Sequence, residues 1–226
     1  MQIIFTTEYA SKLSFMGGTC LRIVFGTNRF SEDLDFDNFG LTESEFDLLS
    51  AIIAKQLVTD GYTFEIKTVH KRAFRCYIRI PQLLFDNKLS GYQEEKILIQ
   101  LDTEAQKYEY EVEPFILNKF DILSRLYFTP KNILLSQKIW AINNRKMAKG
   151  RDYYDALFLF SIAKPDFKYL EMKAGIKNIN QLKNSLDSKI KSIDLKQLVR
   201  DVSPFLINPN DIKRIELFQD FVKGLS

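Results

Sequence analysis

Apolar residues recur at helical spacing over residues 43–59, where Phe46, Leu49, Ile52, Ile53 and Leu57 share a face and Asp60-Gly61 closes the run. Downstream the period shortens to two. Residues 62–69 alternate with Tyr62, Phe64 and Ile66 on one side, and residues 74–80 read as a further strand stopped by Pro81. Residues 96–103 set Ile97, Ile99 and Leu101 against Leu98, Gln100 and Asp102. Upstream, residues 20–25 read as a short helix opening at two glycines, and residues 34–37 as a strand. After Pro130 the texture turns helical. Residues 132–147 bury Leu135, Ile139 and Ile142, and residues 151–163 form a second, very apolar helix. Lysine-rich helices follow at 179–186 and 195–202, then one more at 212–222. The pattern predicts an α+β fold: a mixed sheet with flanking helices over residues 1–125, then a helical lobe over residues 126–226. With no Gly/Ser linker between them, the two are expected to pack closely around a cleft.

Composition narrows the chemistry. The 226 residues are 46% hydrophobic with 19 Phe and 10 Tyr, enough for a core and far from a disordered composition. No apolar run approaches the roughly 20 residues that cross a bilayer, and the start lacks a signal-peptide layout, so a cytoplasmic protein without membrane contact is expected. Cys20 and Cys76 are the only cysteines and His70 the only histidine. That set cannot build an ordinary zinc site or a Ser-His or Cys-His hydrolase. Catalysis, if present, runs on carboxylates, lysines and an oxygen-preferring cation. The net charge of +3 is compatible with nucleic-acid binding and equally with an ordinary protein. The lysines of residues 164–200 could follow an RNA backbone, although a solvated helical surface is the plainer reading.

Two short segments carry the chemical signal. In Ser31-Glu32-Asp33-Leu34-Asp35-Phe36-Asp37, strand alternation aims Asp33, Asp35 and Asp37 one way and Leu34 and Phe36 the other. Like charges so placed repel unless a cation sits among them, and carboxylate oxygens are what Mg²⁺ prefers, usually together with substrate phosphates. A solvated acidic edge strand is the plain alternative. Upstream, Gly17-Gly18-Thr19 permits a tight turn into a helix whose N-terminus favours anions, or is simply a capped Gly-Gly turn. A phosphate-holding turn, a loop with Arg29 and Ser31, and an Asp-x-Asp strand together suit nucleotidyl transfer. In the helical half, Lys138 and Arg145 stand seven apart, on one helix face. Asp152 and Asp155 share a face in an apolar segment, so they need cationic partners. A structural ion-pair network there competes with a catalytic role for Asp152 and is the favoured reading for Asp155.

The run Gly17-Gly18-Thr19-Cys20-Leu21-Arg22, followed by Arg29-Phe30-Ser31-Glu32-Asp33-Leu34-Asp35-Phe36, closely resembles the first motif of the AbiEii/AbiGii family of nucleotidyltransferase toxins. Lys138, Arg145 and Arg151-Asp152-Tyr153-Tyr154-Asp155 resemble its later Lys…Arg…Arg-Asp-x-x-Asp segment, in the right order. The resemblance implies a DNA-polymerase-β-like nucleotidyltransferase lobe followed by a helical lobe. It implies transfer of a nucleotide from an NTP to an acceptor hydroxyl with Mg²⁺ (Mn²⁺ as the alternative cation), with a tRNA 3′ end as acceptor in some relatives, and a cognate antitoxin. It assigns metal binding to Asp33 and Asp35, the motif lysine to Lys138 and the downstream aspartate to Asp152. Gly17, Gly18, Thr19, Arg29, Ser31, Lys138 and Arg145 are the expected nucleotide contacts. The chain departs from the family at Met16, where Lys is frequent, at Cys20, where Ala is frequent, and at Gln100, where many relatives carry an acid. Asp102, one step further on the same face, is the expected third carboxylate. The competing functions are a degenerate nucleotide- or RNA-binding module of the same fold, an enzyme that nucleotidylates protein, and an interaction protein whose motifs are coincidental.

Overall fold

The computed structural model describes residues 1–119 and 121–225. The chain forms two compact units, one of Met1–Cys20 with Glu32–Thr129 and the other of Leu21–Ser31 with Pro130–Ser226.

The first unit is built on a seven-stranded sheet of β1 (Leu13–Met16), β2 (Leu34–Asn38), β3 (Glu65–His70), β4 (Phe74–Pro81), β5 (Lys96–Glu104), β6 (Glu113–Lys119) and β7 (Ile122–Phe128), in the order β3-β4-β5-β2-β1-β7-β6. The pairs β2–β5 and β1–β7 are parallel and the others antiparallel. The expected strands are present, with β2, β4 and β5 slightly longer than their patterns indicate and β3 shifted toward the C-terminus. Strands β1, β6 and β7 have no counterpart in the sequence reading. Helices α1 (Gln2–Phe5), α2 (Gly17–Ile23), α3 (Glu43–Thr59) and α4 (Leu83–Asp86) interrupt the strands. The bounds of α3 coincide with those read from its periodicity, and a reciprocal Thr42–Glu45 capping box fixes its start. Ile52, placed on its apolar face, is 40% exposed, whereas Phe46, Leu49 and Ile53 are buried. Helix α2 begins at the glycines themselves, three residues before the expected start.

Register divides the sheet into two chemically distinct faces. Cys76, Ile78, Leu101, Phe36 and Phe15 lie on the buried face. The other face carries Lys67, Arg75, Tyr77, Arg79, Gln100, Asp102 and Asp35. This two-sidedness is the strand period of two made physical.

The second unit is helical: α5 (Lys131–Asn144), α6 (Gly150–Phe160), α7 (Phe167–Ala174), α8 (Ile179–Lys191), α9 (Leu195–Val202), α10 (Lys213–Glu216) and α11 (Phe218–Lys223). Leu135, Ile139 and Ile142 are buried as expected. The single helix expected at 212–222 is instead a 3₁₀ turn at Pro209–Ile212 followed by α10 and α11. Gly150 lets α6 approach α9, because a Cβ there would stand 2.1 Å from the Leu198 carbonyl oxygen. The segment 21–31 adds an edge to this unit, with Arg29 bridging Leu206 and the Phe30 N–H donating to the Phe205 carbonyl at 2.7 Å. No helix among the described residues is long and apolar enough to cross a membrane.

Candidate active site

Asp35 occupies β2, flanked by Met16 of β1 and Asp102 of β5 as its Cα partners. Directly opposed residues present their side chains on the same face, so two carboxylates stand side by side across adjacent strands. Asp102 accepts a hydrogen bond from Gln100 Nε2 at 3.0 Å, while its Oδ1 lies 3.4 Å from Arg75 Nε. That Oδ1 is enclosed by protein and has no hydrogen-bond partner. Gln100 thus serves as a donor to the neighbouring acid.

The glycine turn explains itself through Asp35. Gly17 opens α2 at φ +75°, and a Cβ there would come within 2.1 Å of Asp35 Oδ2. Only a glycine permits both this backbone and this approach. The Thr19 side chain is tied within the unit. Its hydroxyl donates to the Asp33 carbonyl at 2.5 Å, which ties the turn to the start of β2 and commits its proton within the protein. Asp33 itself precedes the first residue of β2. Cys20 and Cys76 are buried free thiols; burial, then the charge of Asp35, pushes the Cys20 thiol well above its ordinary range.

Asp37 shares the strand but not the environment of Asp35. It is 1% exposed and accepts from the Gln106 N–H at 2.9 Å and the Tyr110 hydroxyl at 2.8 Å. Tyr110 also bonds Thr129 Oγ1 at 2.9 Å, and Thr129 bonds Ser14 Oγ at 2.9 Å. Burial, then the Asp37 charge, raises the Tyr110 phenol so that it stays a donor. Asp37 is a structural acid, satisfied inside the unit.

Fit to a cation can be judged from these donors. Among the described residues no group of three or more acidic, His or Cys side chains is gathered as a metal centre. The Asp35–Asp102 pair is nevertheless a suitable donor set for Mg²⁺, which takes one or two carboxylates plus substrate phosphates rather than an all-protein cage. Asp102 Oδ1, which has no hydrogen bond and only the Arg75 ion pair at 3.4 Å, and the Gly17 cradle are the observations that favour it.

In the second unit the predicted residues meet in a buried ion-pair network. Arg29 is 2% exposed, its Nε and Nη2 each donating to Asp155 at 2.6 Å and its Nη1 to the Phe30 carbonyl at 2.7 Å. The guanidinium expected at the nucleotide is thus placed against Asp155 and the Phe30 carbonyl within this unit. Lys138 places its ammonium 2.9 Å from Asp155 and 3.1 Å from Asp152. Arg145 Nε closes on Asp152 at 2.9 Å while the side chain stays 52% exposed. Burial opposes charge on Lys138, but Asp155 and Asp152 together outweigh it and hold the ammonium above its usual range. The same balance, with Lys138 and Arg29 overcoming burial, holds the Asp155 carboxyl below its usual range. Asp155 is the structural acid that the sequence favours. Lys138 lies between two acids rather than on an open polar face. Ser31 ends the 21–31 segment, half-buried. Sequence reasoning missed Arg75 and Tyr110; the alternation of Arg75 and Tyr77 with Cys76 and Ile78 was the one available sign of the former.

A family model described as nucleotidyl transferase AbiEii toxin, type IV toxin–antitoxin system, matches residues 2–220. None of the curated proteins matches. Among solved structures, JHP933 from Helicobacter pylori is similar with a TM-score of 0.54 at 18% identity, over 98% of this chain and 86% of that one. A protein from H. pylori assigned as a nucleotidyltransferase is similar with a TM-score of 0.55 at 17% identity, over 98% of this chain and 88% of that one. At such identities these likenesses speak for the fold.

Proposed function

Because this chain belongs to the nucleotidyl transferase AbiEii toxin family of type IV toxin–antitoxin systems, we propose that it transfers a nucleotide from an NTP to the 3′ hydroxyl of a tRNA in a Mg²⁺-dependent reaction. One observation carries the site assignment: Asp35 and Asp102 face each other in register, with Gly17 leaving no room for a side chain beside Asp35. Mg²⁺, when bound, would neutralise charge on the transferring and leaving phosphates.

The protein's own part is positioning. Asp35 and Asp102 would hold the cation, and Asp33, directly before β2, would supply a further oxygen. The N–H groups of Gly18 and Thr19, in the first turn of α2, are assigned to the phosphates. The acceptor hydroxyl oxygen attacks the α-phosphorus, forming a new P–O bond. The α–β bridging P–O bond breaks, pyrophosphate leaves, and a carboxylate of the pair takes the hydroxyl proton before releasing it to solvent. Within the second unit, Lys138, Asp152 and Arg145 form an ion-pair network of which Arg145 is the exposed member.

The test is transfer of label from each α-phosphate-labelled NTP to total tRNA in Mg²⁺, with Asp35→Asn alongside. Label on RNA with wild type and at least about 10²-fold less with the variant is expected, because loss of one ligand removes most charge stabilisation at the phosphates. Equal labelling by Asp35→Asn would remove the metal assignment. Label on protein alone would replace the RNA acceptor with a protein hydroxyl.

A further inference from the structure

The sheet face that bears Asp35 and Asp102 does not end with them. Continuing outward from Asp102, the register places Arg75 of β4 beside it and Val69 of β3 beyond. One step down the same face come Gln100, Tyr77 and Lys67, and one further step Leu98, Arg79 and Glu65. Lys67 is exposed, Tyr77 and Arg79 are part-exposed, and Leu98 is 46% exposed. Arg79 lies over the Tyr77 ring at 5.7 Å from its centroid. Two cations of the face have carboxylate partners, Arg75 on Asp102 and Lys96 on Glu65 at 2.6 Å. Lys67 and Arg79 make no ion pair within 4.0 Å among the described residues, and Arg79 acts on Glu65 only at longer range.

A pair of cations flanking an aromatic ring and an apolar side chain, on an extended and solvent-facing surface, is what single-stranded nucleic acid recognises. Bases stack on the ring or lie on the apolar surface, and phosphates sit on the cations. Same-face residues along β4 repeat every two positions, about 6.6 Å, comparable to the repeat of an extended polynucleotide backbone. Arg79 stands four residues from Arg75, or roughly 13 Å along β4, so a strand end of a couple of nucleotides spans the patch and reaches the Asp102 row. Neither Lys67 nor Arg79 is committed to an ion pair within 4.0 Å among the described residues, and the core of this unit lies on the opposite face.

We propose that the β3–β4–β5 part of this face is the acceptor platform: the single-stranded end of the RNA lies along β4, with its phosphates on Lys67 and Arg79, a base on Tyr77, and its terminal hydroxyl directed past Arg75 to Asp102 and Asp35. This rests on the nucleotidyl-transfer reading above and names the surface that would select RNA as its acceptor. Arg75 then has two partners in turn, Asp102 in the free protein and the terminal phosphate when RNA arrives.

The test separates the two claims. Binding of unfractionated tRNA, and of a single-stranded oligoribonucleotide, is measured by anisotropy over a salt series for Asp35→Asn protein without NTP, so that no transfer takes place. The double variant Lys67→Gln/Arg79→Gln and the single variant Tyr77→Leu are made in the same background, with circular dichroism melts to show that they fold. The double variant should bind on the order of 10-fold more weakly, with the magnitude of the log–log salt slope reduced by roughly 1.4, the value for two phosphates of a single strand no longer neutralised by the protein. Tyr77→Leu should weaken binding with the salt slope unchanged. In the Asp35 protein the same changes should raise the KM for RNA and leave the KM for NTP as it was. Folded variants that bind RNA with wild-type affinity and slope would overturn the platform while leaving nucleotidyl transfer intact. Label transferred to protein with no RNA binding would overturn the platform and the RNA acceptor together. Neither RNA binding nor transfer by a folded wild-type chain would overturn both readings.

Discussion

Gly17 and Asp35 belong to one another: the carboxylate oxygen sits where the glycine's Cβ would stand, and the backbone there is left-handed. Gly17→Ala must therefore displace Asp35 and strain φ together. The strain alone destabilises by about 1–2 kcal/mol, and a shift of the carboxylate by an ångström lowers turnover on the order of 10²-fold. Transfer rates measured beside thermal melts check this; a variant with wild-type turnover would show that Asp35 does not need its present position. The sequence showed the glycines and the Asp-x-Asp alternation, but it did not show which acid faces which neighbour. Asp33, Asp35 and Asp37 look equivalent along the strand, yet Asp37 is sealed by Tyr110 and Gln106 from far along the chain, while Asp35 faces Asp102. The buried partner of Arg29 was hidden for the same reason. A loop arginine next to a nucleotide motif looks solvent-facing, and its partner Asp155 lies 126 residues on, with no local trace.

Helices α5 and α6 are joined by charge as well as by apolar contact. Lys138 of α5 reaches Asp152 and Asp155 of α6, and Arg29 completes the pairing of Asp155. Taking the cation away leaves buried carboxylate charge short of a partner, a change that usually costs about 3–5 kcal/mol. Lys138→Met should lower the urea midpoint accordingly. The pH dependence has a definite sign. The folded pKa of Asp155 is lowered, so its stabilisation is complete above the unfolded carboxylate value of about 4 and is lost as pH falls through the folded value. The folded pKa of Lys138 is raised, so its contribution is complete below the unfolded value of about 10.4 and is lost as pH rises through the folded one. The gap between wild type and Lys138→Met should then be flat from about pH 5 to 9 and narrow in acid. A midpoint unmoved at neutral pH would mean that Arg29 on Asp155 and Arg145 on Asp152 suffice for the two acids. Elements with a clear buried face were the legible ones. Helices α3 and α9 were read to the residue, whereas β1 has only four residues, too few to show a period, and β6 is an edge strand exposed at most positions, so its alternation carries little hydrophobic contrast.

On the scale of the whole chain, the sequence suggested a single boundary between a sheet half and a helical half, because texture changes once, near Pro130. The structure agrees on that change of texture but threads residues 21–31 into the helical unit, between two stretches of the sheet unit. Hydrophobic patterning cannot reveal this. The segment has no period of its own and is held by pairing to remote partners: Arg29 to Asp155, Phe30 N–H to the Phe205 carbonyl, Asn28 to Asp211 at 3.1 Å. The helical unit is consequently not a contiguous piece of chain. A fragment of residues 130–226 keeps α5 through α11 but loses the arginine that satisfies Asp155, and a buried acid missing a charged partner is strongly destabilising. Such a fragment should lack a cooperative urea transition when followed by the emission of Trp140, the chain's one tryptophan, which lies in α5. A synthetic peptide of residues 21–31, added in excess, should restore part of that transition, and the same peptide with Arg29→Met should not. A fragment that unfolded cooperatively at the midpoint of the full chain would show that apolar packing among the helices suffices. The Arg29–Asp155 pair would then fix where residues 21–31 lie without being needed for the helices to fold.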